Sequence, residues 1–505
     1  MGYGSARGAP TRETGAGVSD TGGLAGRVVL EALRLDLAGE PAVRERATRA
    51  LEVGAGGFII FGGDAEQVTR LIAELRAVAP YPLWIGSDLE RGPGQQFAGL
   101  PTHPPPSGLA AHTDPTAAAA AAGRGTGRAA RALGIDLVFA PVLDLDIEPQ
   151  NPIVGTRAFS SDPETVARLG AAWIQGCQRE GVLACAKHFP GHGRTTTDSH
   201  VEIPRVEAGR DELEADLLPF RRVAPQVAAM LTAHVVYPAL GSSDPATMAP
   251  QVLTDLLRTE LGFSGLAVTD AMNMSGFLDA GSDSRRAAVK ALLAGCDLLL
   301  YPEDTVGTVQ ALRDESERDP SVLRRLEEAI GRANDVRRRF EDARSAETGP
   351  ENGIDGEDLA LGCVTWTGDQ PAWLRSGEPL RVVPVWDDRP QPGRPPLGAG
   401  FIDALRDAGC PATLHDADAP PAETPVVILI ASTPQAWKGT SGLTPTAVAA
   451  VRAARERASE SLIVGLSHRR LVEDLGGGLC AWGSEPAMER AAARVLAATT
   501  AGHGR

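Results

Sequence analysis

Eight short runs of mostly apolar, β-prone residues recur between residues 28 and 301, and helix-forming stretches rich in Ala, Arg, Glu and Leu separate them. The runs are Val28–Leu35, Gly57–Phe61, Leu83–Asp88, Asp136–Leu143, Val182–Lys187, Ala228–His234, Leu266–Asp270 and Asp297–Tyr301. Several are continuously apolar rather than alternating, as parallel strands covered on both faces are. Eight strand-then-helix units predict one architecture, a (β/α)8 TIM-like barrel. A barrel gathers the C-terminal ends of its strands on one face, where the loops build the site. Five of these ends carry polar residues: Asp88, Asp144, Lys187 with His188, His234, and Asp270. One such residue is by default a turn or cap residue. Five sharing one face point to a site.

At 505 residues the chain exceeds one ordinary core, and 43% of it is hydrophobic, enough to bury a large one. The barrel is expected over 25–345, closed by a helical segment near Leu326–Arg344. Residues 346–359 read as a linker, rich in Gly, Glu and Asp. A second βα alternation follows over 360–505, with strands at Arg381–Trp386, Val426–Ala431, Leu462–Leu466 and Leu479–Trp482 and helices at Thr446–Ala458 and Pro486–Ala498. This predicts a smaller α/β sandwich domain. It carries neither G-x-G-x-x-G nor a P-loop, so a nucleotide is not indicated. Residues 1–24 are rich in Gly, Ser and Thr without an apolar signal core, and read as a disordered tail on a cytoplasmic protein.

The net charge of −16 argues against nucleic acid or an anionic membrane surface as partner. No run has the apolar length to span a bilayer. The six cysteines (Cys177, Cys185, Cys296, Cys363, Cys410 and Cys480) form no C-x-x-C pair, and are expected as free buried thiols in a reducing compartment.

The densest concentration of ionisable groups is KHFPGHGRTTTDSH, Lys187 to His200. Pro190, Gly191 and Gly193 exclude a regular helix, so the segment reads as a long loop leaving a strand. Its three histidines raise a metal reading, but the i, i+4 helical spacing of a zinc site is absent, and no metal is expected. Asp198 and His200 are two residues apart, close enough for the carboxylate to orient the imidazole as a general acid/base. The plainer alternative is an Asx-turn beside a surface histidine. In LAVTDAMNM, Asp270 directly follows an apolar strand and suits a carboxylate nucleophile, or a helix N-cap; spacing alone does not separate these. In NPIVGTRAF, Arg157 offers a rigid fork of donors for sugar hydroxyls or a carboxylate, or is a plain surface arginine.

Together, GFIIFGG, SDLERG, APVLDL, NPIVGTRAF, KHFPGHG followed by DSH, LLPF, MLTAHVVYP and LLRTELGFSGLAVTDAMNM resemble glycoside hydrolase family 3, in its two-domain β-N-acetylhexosaminidase branch. The resemblance covers most of the chain. It implies a retaining enzyme, without cofactor, that removes terminal β-linked N-acetylglucosamine (or another N-acetylhexosamine) from cell-wall (peptidoglycan) or chitin-derived fragments. Asp270 then matches the nucleophile, His200 the acid/base and Asp198 its dyad partner. Lys187 and His188 match residues that hold sugar hydroxyls, Arg157 and Asp88 match further substrate contacts, and His234 and Met272 match positions lining the pocket. A histidine that donates its proton becomes neutral and tolerates an anionic acceptor, so phosphate in place of water is the alternative, as is a β-glycosidase of other sugar specificity. A non-catalytic sugar-binding protein is the reading from a different class, and an intact Asp198, His200 and Asp270 argue against it. The stretch after Asp88 departs from the common D-x-E-G-G-R-V-x-R pattern. It reads Leu89, Glu90, Arg91, Gly92, Pro93, Gly94, Gln95, Gln96, so the second glycine has moved and Gln96 stands in place of the final arginine. A charged donor to the far side of the sugar is thereby expected to be missing.

Overall fold

The computed structural model describes residues 21–197, 203–274, 283–345, 356–387, 396–417, 421–432 and 442–502. Its first sheet contains β1 (Val29–Arg34), β2 (Gly57–Phe61), β3 (Trp84–Ser87), β4 (Leu137–Val138), β5 (Leu183–Phe189), β6 (Ala229–Thr232), β7 (Leu266–Val268) and β8 (Leu299–Leu300). Every pairing is parallel, in the order β7-β6-β5-β4-β3-β2-β1-β8. A parallel bridge between Val268 and Leu298 joins the two ends and closes the ring.

Alternation along the strands divides the apolar side chains into two layers. Leu30, Ala32, Ile59, Trp84, Leu137, Leu183, Cys185, Ala229, Leu231, Leu266, Val268 and Leu300 form one cluster, to which all eight strands contribute, and fill the barrel. Their neighbours Val29, Phe58, Ile85, Val138, Ala184, Met230 and Ala267 face the surrounding helices. Ala333 and Val336, from the helix Pro320–Ser345, join the inner cluster and stop one mouth. Aspartates set several junctions. Asp64, Asp114, Asp162 and Asp304 each accept a backbone N–H of the helix that follows, at 2.9, 3.1, 2.9 and 2.9 Å. At the closing seam Asp297, fully buried, accepts from the Ala267 amide at 2.9 Å and from Arg258, Arg325 and Arg332 at 2.6, 2.6 and 2.7 Å.

Six of the eight observed strands are shorter than the apolar runs. The run 136–143 yields only Leu137–Val138 as continuous strand, because Pro141 has no N–H for the ladder; pairing resumes as a single bridge between Val142 and Lys187. Conversely, β5 runs on to Phe189 with a register shift between Lys187 and Phe189. Lys187 and His188 therefore sit on the strand, and the loop starts at Pro190.

The second sheet has the order β11-β10-β12-β13-β14-β9. Its strands are β9 (Thr365–Thr367), β10 (Leu380–Trp386), β11 (Ala412–Leu414), β12 (Val426–Ser432), β13 (Ser461–Ser467) and β14 (Gly478–Cys480), parallel except for β14 with β9. Helices Gly356–Cys363, Ala399–Asp407 and Pro486–Thr500 cover one face and Pro445–Arg457 the other. The helix Gly356–Cys363 begins inside the span read as linker, and Thr21–Arg27 begins inside the span read as tail. One face of this sheet shares a continuous apolar cluster with the outer layer of the barrel. All six cysteines are buried and unpaired. Among the described residues no helix is long and apolar enough to cross a membrane.

Candidate active site

The alternation that fills the barrel also aims its functional groups. On β5 the inward positions Leu183 and Cys185 are followed by Lys187; on β7, Leu266 and Val268 are followed by Asp270. On β3 the same parity runs from Trp84 to Asp88. The three residues are thus the last steps of inward-facing series at the C-terminal mouth.

Lys187 is 4% exposed, and its Nζ lies 2.8 Å from Asp88 Oδ1 and 2.6 Å from Glu90 Oε1. Burial alone would lower this ammonium, but the two carboxylates raise it above its ordinary value. Glu90 also receives Arg157 through a two-point fork, Nη2 to Oε1 at 2.8 Å and Nε to Oε2 at 3.0 Å. Burial pushes the Glu90 carboxyl up, and Arg157 and Lys187 more than offset it, holding it well below the carboxylate range. Arg157 ends a single turn, Gly155–Arg157, and is tied back to the Ile153 carbonyl at 3.0 Å.

His188 Nδ1 lies 2.6 Å from Asp144 Oδ2, while Asp144 Oδ1 accepts the His192 amide at 2.7 Å. Burial raises the Asp144 carboxyl, and His188 and His192 bring it below its usual value, so it is ionised at neutral pH. His192 is pushed down to about 4, first by burial and then by His188, and is a neutral ring. Its Nδ1 meets Thr195 Oγ1 at 2.7 Å, and its buried Nε2 has no hydrogen-bond partner among the described residues.

The start of the loop is pinned at four further points. Tyr237 donates to the Gly191 carbonyl at 2.6 Å, Asn151 donates to the His192 carbonyl at 3.0 Å, and Arg194 reaches Asp216 at 2.6 Å. The fourth is a close approach: a Cβ on Gly193 would stand 2.2 Å from the Leu145 carbonyl oxygen. Asp198 and His200, the expected acid/base dyad, lie outside the described residues.

Asp270 is half-buried, and its Oδ1 accepts the N–H of Ala271 at 2.8 Å. A helix cap would accept from two or three residues on; the segment through Met274 is a turn. Burial raises the Asp270 carboxyl, while His234, His188, the Ala271 amide and Lys187 bring it below its ordinary 3.8. His234 is buried, with Nδ1 2.8 Å from Thr247 Oγ1 and Nε2 3.2 Å from the Ala271 carbonyl. Since a carbonyl only accepts, Nε2 carries a proton, and the ring braces the backbone next to Asp270. Met272 has no exposed surface and packs in the apolar layer outside the barrel.

The structure thus brings Asp88, Arg157, Lys187 and His188 to the mouth that also holds Asp270 and His234. Sequence reading gives no role to Glu90, Asp144, His192 or Asn151. Asp144 is visible as a polar strand end and Glu90 as the second acid of SDLERG; their partners are not. Among the described residues no group of three or more His, Cys, Asp or Glu side chains is arranged to hold a metal ion.

The family model "Glycosyl hydrolase family 3 N terminal domain" matches residues 35–334. A β-hexosaminidase of Tolumonas auensis is 40% identical over 265 residues, covering 51% of this chain and 78% of that protein. The solved structure of a glycoside hydrolase family 3 β-N-acetylglucosaminidase from Paenibacillus sp. str. FPU-7 superposes with a TM-score of 0.79 at 27% identity, covering 96% of this chain and 97% of that one. The solved structure of NagZ from Neisseria gonorrhoeae in complex with N-trifluoroacetyl-D-glucosamine gives a TM-score of 0.51 at 31% identity, covering 64% of this chain and 98% of that one. The chain belongs to glycosyl hydrolase family 3.

Proposed function

We propose that this protein is a retaining β-N-acetylhexosaminidase that releases terminal β-linked N-acetylglucosamine from cell-wall or chitin-derived fragments. The observation that carries the reading is an ionised Asp270 at the barrel mouth, beside cations already neutralised by fixed carboxylates. Related proteins named β-hexosaminidase and β-N-acetylglucosaminidase support the choice of sugar.

In this reading Asp270 attacks the anomeric carbon and the glycosidic C–O bond breaks, leaving a glycosyl ester. His200, oriented by Asp198, gives its proton to the departing oxygen. It then takes one from the incoming water, which attacks the anomeric carbon and frees Asp270. Lys187 has three N–H donors and two carboxylate partners, so one donor remains for a sugar hydroxyl. His188 gives Nδ1 to Asp144 and keeps Nε2 for the sugar. The fork of Arg157 is locked by Glu90, so little side-chain freedom is lost when a sugar arrives.

The test is a panel of chromogenic N-acetyl-β-glucosaminides and plain β-glucosides, each with and without phosphate. Turnover of the N-acetylated substrates to free sugar, at high phosphate as well, is the expected result. Preference for the plain glucoside, or a sugar phosphate as product, overturns it.

Two further outcomes follow from the site. Asp270 is a carboxylate with a depressed pKa, so its reactive form is present above 3.8 and is lost only as pH falls below that value. The pH profile of kcat/KM should therefore show no ionisation of the nucleophile above 3.8; an acid limb above it that belongs to Asp270, in protein that stays folded, contradicts the reading. Gly193→Ala forces the loop away from Leu145 and displaces the segment leading to Asp198 and His200. It should lower kcat/KM by about tenfold or more, because small misplacements of catalytic groups are costly. A wild-type rate in this variant means the close approach does not set the loop.

A further inference from the structure

The second domain touches the barrel at two places that matter for the site. Arg91, directly after Glu90, extends Nη1 to within 2.5 Å of Glu485 Oε1 in the second domain. Glu485 is 2% exposed and immediately precedes the helix Pro486–Thr500. Where the resembled pattern has glycine after its second acid, this chain has a residue that reaches into the other domain.

The second place is Asp146, two residues after Asp144. It lies 3.0 Å from His468 Nε2 and 2.7 Å from Arg470 Nη2, both in the second domain. His468 Nδ1 accepts the Arg470 amide at 3.1 Å, so the ring proton is on Nε2 and points at Asp146. Trp482 packs edge-on against His468 at 5.8 Å between ring centroids. Its backbone is in the left-handed region, φ +66°, a conformation a bulky residue holds only where its surroundings impose it.

Each contact adjoins a carboxylate that fixes proposed sugar-holding groups. Glu90 carries Lys187 and Arg157 and is followed by Arg91; Asp144 carries His188 and the His192 amide and is followed by Leu145 and Asp146. We propose that the second domain is a two-point clamp, Glu485 on Arg91 and His468 with Arg470 on Asp146, that holds the loops after β3 and β4 in their substrate-binding arrangement. The gonococcal structure is matched over 98% of its length by 64% of this chain, so its fold has no counterpart of the whole second domain. In this protein, loop order has been made to depend on it. The five residues are positioning residues. The inference rests on the proposed sugar-binding roles of Lys187, Arg157 and His188.

The test uses the full chain with Glu485→Gln, Arg91→Gln, their double variant, and Arg470→Ala. Backbone amide exchange comes first, because it reads loop order without any substrate. Exchange should quicken at residues 89–97 in Glu485→Gln and at 144–151 in Arg470→Ala, with the barrel strands unchanged. Kinetics on a chromogenic N-acetyl-β-glucosaminide come second. Each single variant should raise KM by about tenfold with kcat within about threefold, and the double variant should be no worse than either of its singles, since both break one contact. A merely structural second domain would change its own exchange and the melting temperature without moving KM. Arg470 is partly exposed, and its replacement remains informative should the buried Glu485 variant fail to fold. Unchanged exchange at both segments with unchanged KM overturns the clamp. If the wild type fails to turn over the glucosaminide, the proposed activity is wrong, while the exchange result still decides whether the clamp exists.

Discussion

Asp270→Asn is expected to lower kcat/KM on an N-acetyl-β-glucosaminide by about four orders of magnitude, the scale seen when a covalent nucleophile is removed. The amide oxygen is a poor nucleophile at the anomeric carbon, and the charge that stabilises a developing oxocarbenium ion is gone. At 1.36 kcal/mol per decade this is ~5 kcal/mol of transition-state stabilisation. The fold should survive, because the carboxamide is near-isosteric with the carboxylate and can still accept the Ala271 amide that Asp270 accepts at 2.8 Å. Circular dichroism and melting, measured beside the rate, separate the two effects. A loss of less than about tenfold in folded protein removes Asp270 from the nucleophile's role.

Glu90→Gln should be the most damaging single change to the substrate-holding cluster. Both carboxylate oxygens are engaged, one by Lys187 at 2.6 Å and by Arg157 at 2.8 Å, the other by Arg157 at 3.0 Å. The amide brings an NH2 donor against guanidinium or ammonium donors and removes the charge that balances them. Breaking a buried ion pair on one side costs about 3–5 kcal/mol, and two cations depend on this one carboxylate. Urea unfolding at neutral pH should show that loss, and kcat/KM should fall by about a hundredfold as Lys187 and Arg157 reorient. The sign with pH is fixed. Glu90 is held well below its ordinary 4.5, so its stabilisation is full above that value and is lost as pH falls through the lower folded value. The gap between wild type and variant should stay constant down to pH 4.5 and close only in stronger acid. Equal unfolding midpoints at neutral pH contradict this account.

The parts of the fold that are legible in sequence are those governed by local pattern. Gly57–Phe61 reads correctly to the residue because a strand buried on both faces leaves an unbroken apolar run. Asp88, Lys187 and Asp270 are legible for a related reason: each lies at or just beyond the C-terminal end of a buried strand, and the barrel turns that position into a place at one mouth. The strand after residue 136 is shorter than its pattern because Pro141 has no N–H to give the ladder, which resumes only as a single bridge from Val142 to Lys187. β9 and β11, three residues each, are too short to carry a period and leave no signal. What pairs with what is not legible either. Lys187 meets Asp88 99 positions away, and Arg91 meets Glu485 394 positions away. Such partners are chosen by topology, and no local composition marks them.

The closing seam has a consequence for how the chain is made. β1 takes one of its two neighbours from β8, with Val29 opposite Leu299, and the seam beside it is fastened by arginines as far along as Arg332. During synthesis at about 5–20 residues per second, the free side of β1 waits tens of seconds for its partner. Through that interval it offers an unsatisfied strand edge to any other nascent chain. Ring closure is thus a late and cooperative event, and the yield of folded protein should depend on how well that one edge is sheltered until the C-terminal part of the barrel emerges.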